Sequence, residues 1–277
     1  MANVRSIAAA LAVLALVAAG SASAAPDAEL WSRWLAHRPG AAETVDHDAW
    51  DRFLSRHVVA GADGIARIAY GRVGAEDRRL LDGYVAGLAM VPVGSLDRPQ
   101  QRAFWINLYN ALTVQLVLQH YPVDSIRDID ISPGLFADGP WGKPLVLIAG
   151  EPLSLDDIEH RILRPIWRDP RVHYALNCAS IGCPDIQGRA FTPDNTEVLL
   201  ESAARAFVNH PRGARIADGD LVVSSIYAWF ADDFGGDDAT VIAHLRRYAD
   251  GPLSAALAGR RHIDGDAYDW ALNDAAP

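Results

Sequence analysis

Two thiols and an imidazole sit in one short stretch of the chain: His173, Cys178 and Cys183. A cysteine attacks only as its thiolate, which forms at neutral pH beside a base or a positive neighbour. If the segment after His173 folds back, His173 and Cys178 meet as a Cys/His pair suited to acyl transfer or amide hydrolysis. The same sulfurs support two other chemistries. Cys178 and Cys183 have four residues between them, with Gly182 among these and Pro184 directly after, a spacing that can bring two Cα atoms within the ~4.4 to 6.8 Å a disulfide needs. Such a bridge closes a small loop worth about 2 kcal/mol, and a sulfur locked in it is no nucleophile. Cys178, Cys183, His173 and His160 are also the ligand types zinc prefers. Their spacing matches no known finger, so no metal or other cofactor is expected.

A second group of polar residues stands apart from the thiols. Asn107 and Asn110 are three apart, hence neighbours on one face of a helix. Buried amides either hydrogen-bond the backbone of adjoining segments or line a site and orient a ligand. His160 and Arg164 are four apart and share a face; with Glu159 they can hold an anion or an acid group, or they form an ordinary solvated ion pair.

These residues need elements to position them. Phe104, Trp105, Ile106, Leu108, Tyr109, Leu112, Val114, Leu116, Val117 and Leu118 cover most directions around a helix from about Pro99 to His120, which predicts a central, buried helix. It ends before Pro122, which removes a donor and disfavours helix in the preceding residue. Leu80, Leu81, Tyr84, Val85 and Leu88 mark an amphipathic helix over 77–88. Ser154 with Asp156 and Asp157 is an N-cap with acids in the first turn. Val172 to Leu176 is read as a strand with His173 and Ala175 on one face and Val172, Tyr174 and Leu176 on the other, and 177–184 as a loop. Beyond it the sequence predicts a helix over 194–209, a hairpin around Gly219 and two closing helices over 225–232 and 238–248. Asp232-Asp233 and Asp237-Asp238 around Gly235-Gly236 lack the ligand order of a calcium loop and are read as a solvated turn.

Three ordered blocks, Phe104 to Ala111, Leu155 to His160 and Asp169 to Pro184, resemble the signature of the domain of unknown function 547 family. The resemblance runs from about Asp63 to Asn273 and takes in a late block, Ser224 to Phe234, and the closing Tyr268 to Asn273. Membership implies no settled activity. A central helix followed by a segment presenting a histidine resembles papain-like and transglutaminase-like folds. In those the nucleophilic cysteine opens the helix; here the helix starts at Gln100 to Trp105 without a thiol, so their order of groups is not reproduced.

The N-terminus points to export. Arg5, the apolar run from Ile7 to Ala19 and Ala22-Ser23-Ala24 form a charged start, apolar middle and small-residue exit, read as a signal peptide over 1–24. The run is short of the ~20 residues of a spanning helix, so no membrane insertion is expected after cleavage. Of the 25 basic residues against 35 acidic, cleavage removes only Arg5, taking the formal charge from −10 to −11, which repels nucleic acid. Residues 25–62 are read as a leader that packs late or frays, and 63–277 as one globular domain.

Together these readings give an α+β fold, mainly helical, with a central buried helix on a small, mostly antiparallel sheet. The protein is expected in the periplasm or medium. Its expected role is to bind a peptide or small ligand without catalysis; a thiol-dependent hydrolase or acyltransferase is the alternative. His173 and Cys178 are the catalytic candidates, and Asn107, Asn110, Glu159, His160 and Arg164 the ligand-binding ones.

Overall fold

A run of residues buried from Gln101 to Val114 on every side makes one helix the axis of the molecule. The computed structural model describes residues 26–133 and 139–275; the expected signal peptide lies outside these. The chain opens with a 3-10 turn, Ser32–Leu35, then α1 (Asp48–His57), a hairpin of β1 (Val58–Ala60) and β2 (Ala66–Ile68), and α2 (Ala75–Ala89). The central helix, α3 (Arg98–His120), is capped by Asp97, whose side chain accepts from the Gln100 N–H, with a proline in its first turn.

The leader is not loose. Trp34 is buried and meets Trp105 of α3 edge to face, with ring centroids 5.0 Å apart. It shares one core with Trp50 and Phe53 of α1. The polar sequence around these aromatics hid their packing.

After α3, β3 (Val146–Ile148) and β4 (Glu151–Leu153) pair antiparallel. Ala149 and Gly150 between them both have positive φ, the conformation a two-residue hairpin turn requires. Ser154 does cap the next helix, since the Asp157 N–H donates to its hydroxyl. That helix is then π-helical over Asp157–Leu163 before α4 (Arg164–Trp167). The segment read as a strand is a 3-10 helix, Pro170–Tyr174. Asp169 caps it by accepting from the Arg171 N–H, and Pro170 supplies the φ of a helical first residue; this start signal outweighs a five-residue alternation.

The remaining elements are α5 (Thr196–Asn209), β5 (Ala214–Ala217), β6 (Asp220–Ser224), α6 (Ser225–Trp229), α7 (Asp238–Tyr248), α8 (Gly251–Leu257) and β7 (Gly265–Ala267). β6 pairs antiparallel with β5 and parallel with β7. The architecture is α+β, with small, mostly antiparallel sheets. They are three separate pieces, however, and α3 packs on α2 and the π-helical segment rather than on one sheet. Two cores result. Val172 belongs to the core around α3, and Tyr174 to the core of α5, α6 and α7. His173 therefore sits on the seam between them.

Candidate functional site

The π-helical segment sets up the ionic half of the site. Glu159 and His160, adjacent in sequence, are both buried along with Arg164. The Arg164 N–H reaches back five residues to the Glu159 carbonyl, and Pro165 has no N–H to donate. The carbonyls of His160 and Arg161 instead accept from the backbone N–H groups of Glu29 and Trp31, each at 3.0 Å. Arg164 Nη1 donates to the Pro26 carbonyl at 2.7 Å, and the Arg161 guanidinium lies 4.3 Å over the Trp31 ring. The segment from Pro26 to Trp31 is thus held along this helix chiefly through its backbone.

Beneath it, His173 is clamped on both ring nitrogens. Nε2 is 2.7 Å from Asp233 Oδ2, and Nδ1 is 3.4 Å from Glu159 Oε1. Burial alone would depress the imidazole pKa, but the two carboxylates outweigh it and raise it. Burial pushes both carboxyls up, but His160, His173 and Arg164 bring Glu159 down to about 2, and His173 and Arg164 bring Asp233 down to about 2. Arg164 completes a balanced set by donating from Nε to Asp233 Oδ2 at 2.5 Å. Phe230 stacks on His173 at 4.3 Å and lies under the Arg164 guanidinium at 4.8 Å. His160 is neutral, its pKa lowered to about 4 by burial, and its Nδ1 accepts from Arg164 at 3.0 Å. The expectation of a solvated ion pair for His160 and Arg164 is therefore corrected: two balancing carboxylates permit full burial of this face.

Asp156 lies at the edge of this cluster, 3.6 Å from His160 Nε2. Burial, with Glu159 and Asp157 nearby, raises its carboxyl to about 7.

The sulfur half is a different cluster. Cys178 Sγ is 3.0 Å from the Tyr268 hydroxyl and 3.3 Å from that of Ser180, and these hydroxyls are 2.7 Å apart. The Cys178 N–H points at Cys183 Sγ at 2.9 Å. Both cysteines are free thiols, so the expected disulfide is not formed. A hydrogen bond to Cys183 and burial push the Cys178 thiol well up. Burial also opposes ionisation of Cys183, but hydrogen bonds from the Cys178 side chain, Tyr268, the Cys178 backbone and Ser180 bring it below its ordinary value.

His173 and Cys178 do not pair: among the described residues the hydrogen-bond partners of the Cys178 sulfur are Cys183, Ser180 and Tyr268. Tyr109 of α3 stands between the clusters, with the ionisable groups of Glu159, Cys178, Cys183 and Asp156 as neighbours. The two asparagines are engaged by backbone groups. Asn107 exchanges hydrogen bonds with the N–H and carbonyl of Phe191, at 2.9 and 2.7 Å. Asn110 donates to the Ala175 carbonyl and accepts from the Asn177 N–H, at 2.8 and 2.9 Å. Each amide is paired with backbone through both its nitrogen and its oxygen, and Asn110 fixes the link between His173 and the thiol loop.

An open cleft of about 350 Å³ adjoins the ionic cluster, lined by Ala28, Leu30, Arg164, Pro165, Arg168, Asp169, Asp232 and Asp233. Asp169 is committed to Arg102 and Arg171, and Asp233 to Arg164 and His173. Arg168 and Asp232, both exposed, remain at the cleft without an ion-pair partner among the described residues. The sequence reading missed Asp233, taken as part of a solvated turn, as well as Phe230, Ser180, Asp156 and Tyr268. The late and closing blocks of the resemblance contain Phe230, Asp233 and Tyr268, which is the signal that could have found them.

Residues 93–208 match the family model described as "Protein of unknown function, DUF547", and this stretch of the chain is similar to that family. No curated protein and no solved structure matches the chain.

Proposed function

We propose that the protein is an exported, periplasmic or secreted module that binds an extended peptide or a small peptide-like ligand without catalysing its conversion. The observation that carries this reading is the seat of Pro26 to Trp31. Backbone N–H groups of Glu29 and Trp31 meet carbonyls that the Pro165-interrupted helix leaves available, and Arg164 takes the Pro26 carbonyl. Main-chain recognition of this kind suits any extended peptide of compatible shape. The adjoining cleft is in the size range of ligand sites, and Arg168 and Asp232 offer one charge of each sign for the ends or side chains of a peptide.

Two features weigh against the thiol-dependent alternative. Both nitrogens of His173 are occupied by carboxylates, leaving no base for Cys178, and the Cys178 thiol is held protonated. The cysteine-peptidase-like scaffold remains part of the proposal, supported by the order of central helix and histidine-bearing segment. Export rests on Arg5, the apolar run and Ala22-Ser23-Ala24, and is tested by sequencing the N-terminus of the protein from a periplasmic fraction.

Binding is tested with the synthetic peptide Pro-Asp-Ala-Glu-Leu-Trp, the sequence of residues 26–31, titrated calorimetrically onto the full chain and onto Glu29→Pro, which lacks one of the seating N–H groups. The variant is expected to bind the peptide about fivefold more tightly than the wild type, the equivalent of one hydrogen bond of ~1 kcal/mol. Absence of binding to either at millimolar peptide overturns the reading.

A further inference from the structure

The loop that carries the two sulfurs is built with unusual rigidity. Its backbone is tied to the closing segment by Ile181 N–H to Ala271 O and Gly182 N–H to Asp269 O, both 2.8 Å, and by a bridge between Ser180 and Leu272. Ala179 adopts a left-handed φ of +60°, a conformation that costs a non-glycine residue on the order of 1 kcal/mol and bends the chain back after Cys178. Gly182 is pressed against the closing segment; a Cβ there would lie 2.8 Å from the Asp269 nitrogen and 2.9 Å from the Tyr268 ring. Asn177 pins the start of the loop by accepting from Ala179 N–H at 3.0 Å and donating to the Pro184 carbonyl at 2.8 Å.

This frame delivers two free thiols in unequal settings. Cys183 is buried and Cys178 partly exposed. Cys183 Sγ lies 2.9 Å from the Cys178 backbone nitrogen, and a cysteine sulfur in a staggered rotamer is itself on the order of 3 Å from its own nitrogen. The two sulfurs are therefore no more than about 6 Å apart when Cys178 adopts such a rotamer, and the two thiols are within hydrogen-bond reach of each other. Around the Cys178 sulfur stand aromatic rings: Tyr268 packs on Trp229 at 4.8 Å and on Trp270 at 4.6 Å, and all three are partly exposed.

We propose that Cys178 and Cys183 are a thiol–disulfide exchange pair whose substrate is a small organic disulfide of the cystine type. As the Cys178 sulfur attacks one sulfur of the substrate, its proton passes through the Ser180 and Tyr268 hydroxyls to the departing sulfur, so no standing Cys178 thiolate precedes the step; the substrate S–S bond breaks, a mixed disulfide forms and the first thiol leaves. Cys183 Sγ, also giving up its proton, then attacks Cys178 Sγ, forming the internal bond and expelling the second thiolate. The two protons end on the two released thiols. Two cysteines are oxidised and one disulfide is reduced to two thiols, so the step balances without another reagent. Tyr268 and Ser180, both within hydrogen-bond reach of Cys178 Sγ, relay its proton.

This activity is independent of the peptide seat. The test incubates the reduced, full-length protein with oxidised glutathione and follows intact mass and free thiols. The expected product has lost two hydrogens, carries no adduct and shows no free thiol, and dithiothreitol restores both thiols. Cys183→Ser is expected to stop at a single glutathione adduct on Cys178. A stable adduct on the wild-type chain, disulfide-linked dimers, or two thiols that stay free in excess oxidised glutathione would each overturn the proposal. The wild-type result decides it even if the variant does not fold.

Discussion

The imidazole of His173 and the carboxylate of Asp233 meet at 2.7 Å from positions sixty residues apart. This contact, with Glu159 on the other nitrogen, ties the 3-10 turn on the seam of the two cores to the segment after α6. Arg164 then links the same carboxylate to the leader through the Pro26 carbonyl.

Removing Asp233 leaves two cations buried without their shared anion. Asp233→Ala is expected to lower unfolding stability by about 3 kcal/mol, measured by urea denaturation. It is also expected to speed amide exchange at Glu29 and Trp31, whose seat depends on Arg164.

The pH dependence of the cluster follows from the direction of each shift. His173 is raised, so its contribution is complete below its ordinary value of 6.5 and is lost as pH rises through the higher folded value. Glu159 and Asp233 are lowered, so theirs is complete above 4.5 and 3.8 and is lost as pH falls toward about 2. The stability gap between wild type and His173→Gln is therefore expected to be widest between pH 4.5 and 6.5 and to narrow on both sides. A gap that stays constant from pH 3 to 9 contradicts this.

Asp156 behaves in the opposite sense. Its raised carboxyl, about 7, favours the neutral form in the folded state, a contribution complete at acid pH and lost as pH rises through 7. Asp156→Asn is expected to match the wild type at pH 5 and to exceed it at pH 8. Its side chain is 37% exposed, so solvent screening limits the gain to about 1 kcal/mol; thermal melts at the two pH values measure it.

Asn110→Ala strands the Ala175 carbonyl and the Asn177 N–H in the core. A loss of about 3 kcal/mol is expected, with peptide affinity unchanged where the protein remains folded. A change in affinity larger than threefold, read by calorimetry, would return Asn110 to the ligand-binding residues.

The central helix was legible because ten apolar side chains between Phe104 and Leu118 leave it no polar face, and the family signature was legible in the same stretch. The burial of the Asn107 and Asn110 side chains was legible too, while their partners were not: Phe191 and Ala175 are brought up by tertiary packing. The π-helical segment was invisible, since Asp157 to Leu163 has the composition of an ordinary amphipathic helix, and its widened turn is fixed by the leader and by Pro165. Asp233 looked like a solvent residue because its counter-charges, Arg164 and His173, come from distant parts of the chain. The disulfide expectation drew on spacing and on the oxidising compartment that export implies, and neither anticipates that Tyr268 and Ser180 hold the Cys178 sulfur.

The closing segment has a consequence for how the protein is made. Leu272 N–H reaches the Asp124 carbonyl, Asn273 N–H the Ala179 carbonyl, and Ala275 N–H the Ile68 carbonyl, so one C-terminal ribbon staples the first hairpin, the exit of α3 and the sulfur loop. None of these three regions can be finished before residues 268–275 have left the ribosome. Chains in which those residues are still inside the ribosome are thus expected to remain open to proteases, and a nonsense mutation at Trp270 to cost the whole fold rather than a tail.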